Sequence, residues 1–359
     1  MHQGPTGHPP GSPAPVNGTG EVRPPSGRSR SVTIRDVARS AGVSHQTVSR
    51  VLNAHPNISA RTRSRVLAAM ERLDYRPSRV ARALANGRSG TIGVILTDNG
   101  RYGPPKTLQA IERAARDAGY FVSTVNLASV GREQMQTALG HLEDQGIDGL
   151  VVIAPQAAML EAFRELHRGV PYVTVDSAGD GGGHSVAIDQ ALGARLATQH
   201  LVDLGHRTVV HVAGPADWLD SQARTQAWRA TLAAAGLDAP PPVVGDWSAG
   251  FGHRTALDLA RRRDLTAVFA SNDQMALGLL HGFHEAGIRV PEDVSVVGFD
   301  DIPEAAYFVP ALTSVRPDFS ELGVRCMTRL HDQLSGGALP PESPIPPDLV
   351  IRRSTSAPA

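Results

Sequence analysis

Residues 43–53 read Val-Ser-His-Gln-Thr-Val-Ser-Arg-Val-Leu-Asn. A helix begun at Ser44 puts His45, Gln46 and Arg50 on one exposed face. His45 and Gln46 can hydrogen-bond base edges, and Arg50 suits guanine O6 and N7 as a bidentate donor. Ser44, Thr47, Ser49 and Asn53 are short polar residues suited to phosphate contacts. A second chemistry lies much further along. Asn272 and Asp273 follow the apolar run Ala267–Ala270, and Asp300 and Asp301 follow Val294–Phe299. Polar residues just beyond the carboxyl ends of parallel strands are where open α/β sheets hold small ligands.

The elements that must carry these residues fall into two classes. Over residues 31–75 the pattern is three short helices. Thr33-Ile34-Arg35-Asp36 is a capping-box pattern, and Ile34, Val37, Ala38 and Ala41 follow at helical spacing. Gly42 breaks that helix. Ser44 caps a second through about Leu52, with Val48, Val51 and Leu52 inward. Ser59 caps a third through about Leu73, with Val66, Leu67, Met70 and Leu73 inward. Two helices joined by a short Gly-containing turn predict a helix-turn-helix.

Residues 76–90 read as a linker. Its run Arg79–Asn86 has a helical sequence too short to hold a helix alone in water. From Thr91 onward, strands alternate with helices. The expected strands are Thr91–Leu96, Phe121–Asn126, Gly149–Ile153, Tyr172–Val175, Ser185–Ile188, Thr208–Val212, Ala267–Ala270, Val294–Phe299 and Asp348–Ile351. The clearest helices are Leu108–Ala118, Gln190–Leu204, Gln222–Ala235 and Gln274–Ala286. This alternation predicts parallel sheets in βαβ units, divided between two lobes with a cleft between them.

Charge is segregated although the chain's net charge is zero. Residues 1–30 are a Pro/Gly/Ser-rich tail expected to be disordered, with a charge of +2. Residues 31–90 carry eleven Arg against Asp36, Glu71 and Asp74, a charge of +8. A basic block on an acidic body points to a polyanionic partner. The single cysteine, Cys326, excludes a disulfide scaffold. No apolar run is long enough for a membrane span, and no secretory pattern opens the chain, so a cytoplasmic location is expected.

Enzyme signatures are absent: the sequence has no Gly-x-Ser-x-Gly, no Walker A motif and no HExxH. His281 and His284 lie three apart on a helix, but spacing supplies no third ligand. Neither a metal nor a cofactor is expected.

Residues 32–53, VTIRDVARSAGVSHQTVSRVLN, resemble the start of the lac-repressor-like family of bacterial transcriptional regulators. The resemblance runs on to about residue 355, through GDWSA at 245–249, NDQMALG at 272–278, VSVVGFDD at 294–301 and a final LVIRRST. It implies an all-α helix-turn-helix domain followed by an α/β two-lobed, periplasmic-binding-protein-like effector domain with parallel sheets. The expected boundaries are 31–75, a hinge over 76–90, and 91–357 for effector binding and dimerisation. One lobe is expected from 91–189 and 317–345, the other from 190–316 and 346–357.

The resemblance also carries roles. Leu84 matches the hinge-helix leucine that family members wedge into the minor groove at the operator centre, a step that kinks DNA. Ala81 and Ala85 are small enough for two hinges to approach. Arg79, Thr33 and Asn57 complete the expected DNA contacts. In the effector site Arg224 matches the family arginine on the cleft wall. Trp247, Phe319 and Asp189 match further pocket positions, beside Asn272 and Asp300. An aromatic face with a carboxylate and an arginine is sugar-site chemistry. Some positions depart from the family's sugar site: Pro317, Ile153 and the loop Arg101-Tyr102-Gly103-Pro104. Arg101 joins the expected effector contacts, and the sugar wall is remodelled. No lac-type leucine-heptad extension follows the last strand, so a homodimer is expected. The expectation is a repressor of a carbohydrate-utilisation operon, acting on a pseudo-palindromic operator under control of a sugar-like effector. The alternatives are a two-lobed solute-binding protein with no DNA role, or a regulator using a non-sugar corepressor.

Overall fold

The computed structural model describes residues 32–52, 55, 57–75, 88–97, 102–178, 183–341 and 343–358. The tail and the expected contacts Asn53, Arg79, Ala81, Leu84, Ala85 and Arg101 lie outside the described residues. The chain divides into two compact units, residues 1–78 and 79–359.

The first unit contains α1 (Ile34–Ala41), α2 (His45–Leu52) and α3 (Ala60–Arg72). The Asp36 carboxylate accepts from the Thr33 backbone N–H and hydroxyl, closing the start of α1. Gly42 ends α1 in the left-handed region at φ 61°, and its N–H donates to the Arg39 carbonyl. Ser44 Oγ accepts from Thr47 N–H and Ser59 Oγ from Thr62 N–H, so both expected caps are present. Val37, Val48, Val66 and Ala69 are buried where the helices meet. Leu67, expected inward, is 51% exposed. Val66 and Ala69 occupy the inward arc of α3 instead, and Leu67 falls outside it.

The second unit holds two sheets. The first has the order β2-β1-β3-β4-β5, from β1 (Thr91–Thr97), β2 (Phe121–Leu127), β3 (Gly149–Ile153), β4 (Tyr172–Val175) and β5 (Ser185–Val186). The second has the order β11-β10-β9-β8-β6-β7. Its strands are β6 (Val209–Ala213), β7 (Val243–Val244), β8 (Ala267–Ala270), β9 (Ser295–Phe299), β10 (Thr313–Arg316) and β11 (Asp348–Val350). Every pairing is parallel except β10 with β11. The central strands β3, β6, β8 and β9 are buried throughout, as expected of parallel strands covered by helices on both faces. The edge strand β2 leaves Phe121 46% exposed.

The flanking helices are α4 (Gly103–Asp117), α5 (Arg132–Asp144), α6 (Ala157–Leu166), α7 (Gln190–Asp203), α8 (Leu219–Ala234), α9 (Ala249–Leu259), α10 (Asp273–Glu285) and α11 (Phe319–Leu334). Helix α4 starts five residues before the expected Leu108. Pro104 and Pro105 occupy its first turn, where a missing N–H leaves no broken bond. Helix α11 packs on α4 and on the first sheet, although it follows β10 of the second. The chain therefore crosses between lobes repeatedly. Among the described residues, no helix is long and apolar enough to span a membrane.

Candidate functional site

Two constellations stand out, one in each unit. In the first, Ser44, His45, Gln46 and Arg50 are exposed, while Thr47 and Ser49 are half-buried. Gln46 and Arg50 are four residues apart and share a face of α2. The Ser44 and Thr47 hydroxyls are hydrogen-bonded to each other at 3.0 Å, so both are tied to the helix start. Thr33 is tied to Asp36, and Asn57 is exposed beyond α2. Arg65 and Arg72 of α3 are exposed, and each also bonds the end of α1. Arg65 donates to the Ala41 carbonyl at 2.6 Å and Arg72 to the Ser40 carbonyl at 3.3 Å, locking α3 to the end of α1.

The second constellation is a cleft between the lobes, enclosing about 760 Å³ of space including its open mouth. It lies at the carboxyl ends of both sheets, lined by Ile153 and Val175 on one side and Asn272 and Asp300 on the other. In the second sheet this is the point where strand order reverses, between β6 and β8.

Arg224 sits in the second turn of α8 and is 5% exposed. Its Nε donates to Gln190 Oε1 at 2.9 Å, and its Nη1 donates to the Ser271 carbonyl. The guanidinium lies 3.5 Å over the Phe299 ring. Among the described residues the Nη2 edge has no hydrogen-bond partner, with Asp220 3.9 Å away. Three attachments therefore fix the fork and leave one edge for a ligand. Burial lowers the Arg224 pKa, opposed by Asp300, Asp220 and Asp273.

Asp300 begins the loop after β9 and is 9% exposed. Its φ of 103° is a conformation that non-glycine residues rarely adopt. The loop is held from several sides. Asp300 N–H donates to the Val315 carbonyl at 2.8 Å. Asp301 is ion-paired with Arg316 at 2.6 Å and Arg352 at 2.7 Å. Buried Asp273 accepts from Ile302 N–H and the Ser314 hydroxyl. Strain so over-determined is a mark of functional loops. The Asp300 carboxyl has no hydrogen-bond partner among the described residues. Burial pushes it up to about 7, with Arg224 pulling down and Asp220 pushing up.

Trp247 forms another wall. It is 5% exposed at φ 69°, edge-on to Trp218 with ring centroids 5.4 Å apart. A Cβ on Gly214, just after β6, would lie 2.1 Å from the Trp247 ring, so glycine there makes room for the indole. Phe319 lines the cleft and meets Tyr102 edge-on.

The fold thus gathers Arg224, Trp247, Asn272, Asp300 and Phe319 around one space. Asp189 stands between two cleft-lining residues, Ile188 and Gln190. It is not among the cleft-lining residues, and its carboxylate caps α7 by accepting from Leu192 N–H at 2.8 Å. Asn272 lines the cleft, but its amide donates to Trp247 O and Gln274 Oε1, and its oxygen caps α10. Tyr102, Gly103 and Pro104 of the loop expected to depart from the family's sugar site line the cleft, and so do Gln190, Trp218 and Asp220, which were not singled out by sequence. Asp220 could have been found, since it stands four residues before Arg224 on one helix. The Ser177 hydroxyl of one lobe donates to Asp220 of the other.

Residues 33–78 match the model for bacterial regulatory proteins of the lacI family, and residues 198–355 match a periplasmic binding protein-like domain. The lactose operon repressor of Escherichia coli K12 is 35% identical over 331 residues, 91% of each chain. The ribose operon repressor of the same organism is 34% identical, over 81% of this chain and 89% of the relative. A crystal structure of the lac repressor dimer bound to operator and the anti-inducer ONPF superposes with a TM-score of 0.82 at 34% identity. It covers 91% of this chain and all of that one. A complex of the transcriptional regulator CelR with cellobiose gives 0.67 at 30% identity, covering 90% and 99%. The chain belongs to the lacI family of bacterial regulatory proteins, and is a DNA-binding transcriptional regulator with an effector-binding domain rather than an enzyme.

Proposed function

We propose that this regulator is a cytoplasmic homodimer that represses a carbohydrate-utilisation operon and is controlled by a sugar-like effector held in the cleft. The observation that carries this reading is the pairing of a fixed guanidinium edge, on Arg224, with the unpartnered Asp300 carboxyl. Both line one cleft walled by Trp218 and Trp247. A carboxyl and a guanidinium can grip adjacent ring hydroxyls while an indole covers the C–H face. The cellobiose complex of CelR and the names of the lactose and ribose operon repressors support the same ligand class.

On the DNA side, His45, Gln46 and Arg50 read bases, and Ser44, Thr47, Ser49 and Asn53 hold phosphates. Thr33 and Asn57 lie beside them. A hinge helix over Arg79–Asn86, paired with its dimer mate, places Leu84 in the minor groove. A bound sugar closes the lobes and unpairs the hinges. Linkage requires the effector to bind the DNA-incompetent state more tightly.

The test is a thermal-shift screen of the full chain against mono- and disaccharides, followed by gel retardation on DNA selected from a random pool. A sugar that stabilises the wild type and releases it from DNA supports the reading. Arg224→Lys should keep DNA binding and lose the response. If no sugar shifts melting or DNA release, the carbohydrate assignment is wrong.

A further inference from the structure

Helices α9 and α10 meet along a seam of glycines. A Cβ at Gly252 would fall 2.1 Å from the Met275 carbonyl oxygen, and one at Gly278 1.9 Å from that of Ala249. A Cβ at Gly282 would fall 2.7 Å from the His253 carbonyl oxygen. With so little between the two backbones, side chains at the rim of the seam reach across it. His253 of α9 stands there opposite His281 and Glu285 of α10, which are four residues apart on one face. One ligand atom from each of the three lies within 4.8 Å of the others. His253 Nε2 and Glu285 Oε2 are 2.6 Å apart, and the two imidazole centroids are 5.2 Å apart.

We propose that His253, His281 and Glu285 form a binding site for a divalent transition metal, zinc being the ion best suited to two imidazoles and one carboxylate. Sequence spacing offers only His281 with His284, a pair without a third ligand, and no metal is expected from it. The fold brings His281 to His253 and Glu285 instead. A simple ion pair would use only His253 and Glu285, and would set a second imidazole beside a protonated one. A metal uses a lone pair from all three groups and leaves an outward position for water. His281 and Glu285 are exposed and His253 half-buried, so an ion can enter without unfolding. The ion would clip α9 to α10. Trp247 and Asn272 stand just before these helices, so the clip would stiffen the pair that carries this wall of the cleft. The inference does not depend on the effector's identity.

The experiment uses the full chain, stripped with a chelator and dialysed. Cobalt is titrated by visible absorption and zinc by equilibrium dialysis. Because the chain has 14 histidines, the variants decide the outcome. One cobalt per chain should give bands of low-coordinate geometry. His253→Ala and His281→Ala should each weaken binding by at least about tenfold, a loss already typical when only a residue supporting a ligand is removed. His284→Ala, outside the cluster on the same helix, should bind as the wild type does. Zinc should raise the melting temperature of the wild type and of His284→Ala, but not of the two ligand variants. Wild-type binding as weak as that of His281→Ala, or unchanged binding in both ligand variants, overturns the site.

Discussion

The side-chain amide of Asn272 donates to the backbone carbonyl of Trp247 across 3.1 Å. That bond is a strut between two strand-to-helix junctions, because Trp247 lies just before α9 and Asn272 just before α10. It helps hold Trp247 at φ 69°, a conformation an L-residue leaves readily unless it is pinned. Asn272 Oδ1 meanwhile accepts from Met275 N–H and caps α10.

These two jobs can be separated. Asn272→Asp keeps the capping oxygen and loses the donor to Trp247. Asn272→Ala loses both, and the missing cap alone costs about 1 kcal/mol. Effector dose–response curves should weaken in both variants. Thermal melts should fall clearly only in Asn272→Ala, and specific DNA binding should persist in both. An unchanged dose–response in Asn272→Asp would show that the strut does not shape the ligand wall.

Recognition at α2 gives a second prediction. Arg50 is exposed and four residues beyond Gln46 on the same face. Arg50→Ala should cost about 1–3 kcal/mol on the selected operator and relax preference at one base position per half-site. Selection from randomised DNA checks it. The same consensus returned for Arg50→Ala and for the wild type would remove Arg50 from the base readers.

Much of this architecture is short-range, and so could be read before folding. The caps at Ser44 and Ser59 each act within three residues, the buried strands β3 and β8 are continuous apolar runs, and β6 and β9 each carry a single polar residue, His211 and Ser295. Strand β10, Thr-Ser-Val-Arg, was not legible. Its burial rests on bonds to a distant segment, such as Thr313 N–H to Ser354 Oγ at 2.8 Å. The two-residue strand β7 is too short for any period. In the cleft, Asn272 and Asp300 could be placed at strand ends by local pattern. Gln190 and Trp218 enter the site through lobe packing, which no local spacing encodes. Asp189 stands at the same kind of junction, and its carboxylate caps α7 by accepting from Leu192 N–H.

The Asp300 carboxyl yields a pH prediction. In the unfolded chain an aspartate titrates near 4, whereas burial in the cleft pushes Asp300 up to about 7. Between those values the folded state keeps a proton that the unfolded chain has lost. The stability this contributes is whole below about pH 4 and is lost as pH rises through 7. Asp300→Asn removes that loss, so the variant should gain on the wild type in thermal melts from about pH 5 to about pH 7, and the gain should level off above that, where Asp300 is ionised in both states. Asp273 is also raised, by burial and by Asp300. The part of its shift that comes from Asp300 leaves with Asp300, so the difference between the two proteins reports Asp300 together with its coupling to Asp273. A constant difference across that range would show that Asp300 is already ionised in the folded protein.

His211 gives the opposite sign. It is fully buried in β6, stacked on Phe269 with centroids 4.7 Å apart and tilted against Trp228 at 5.2 Å. The Phe269 carbonyl can only accept, so His211 Nδ1 carries the proton and donates to it at 3.1 Å. Burial lowers the imidazole to about 3, against about 6.5 in an unfolded chain. The unfolded chain therefore takes up a proton, as pH falls below 6.5, that the folded protein refuses. The stability His211 contributes is complete above 6.5 and drains away toward pH 3. His211→Phe keeps a ring in the stack and cannot titrate. It should lose about 1 kcal/mol at neutral pH through the missing hydrogen bond, then lose less than the wild type on acidification. Denaturant melts from pH 7 down to pH 4, which fall almost wholly inside that window, should show the two stabilities converging and then crossing. His200 and His206 are lowered too, but they titrate alike in both proteins. Parallel curves across that range would mean that His211 takes up its proton in the folded protein as readily as in the unfolded chain.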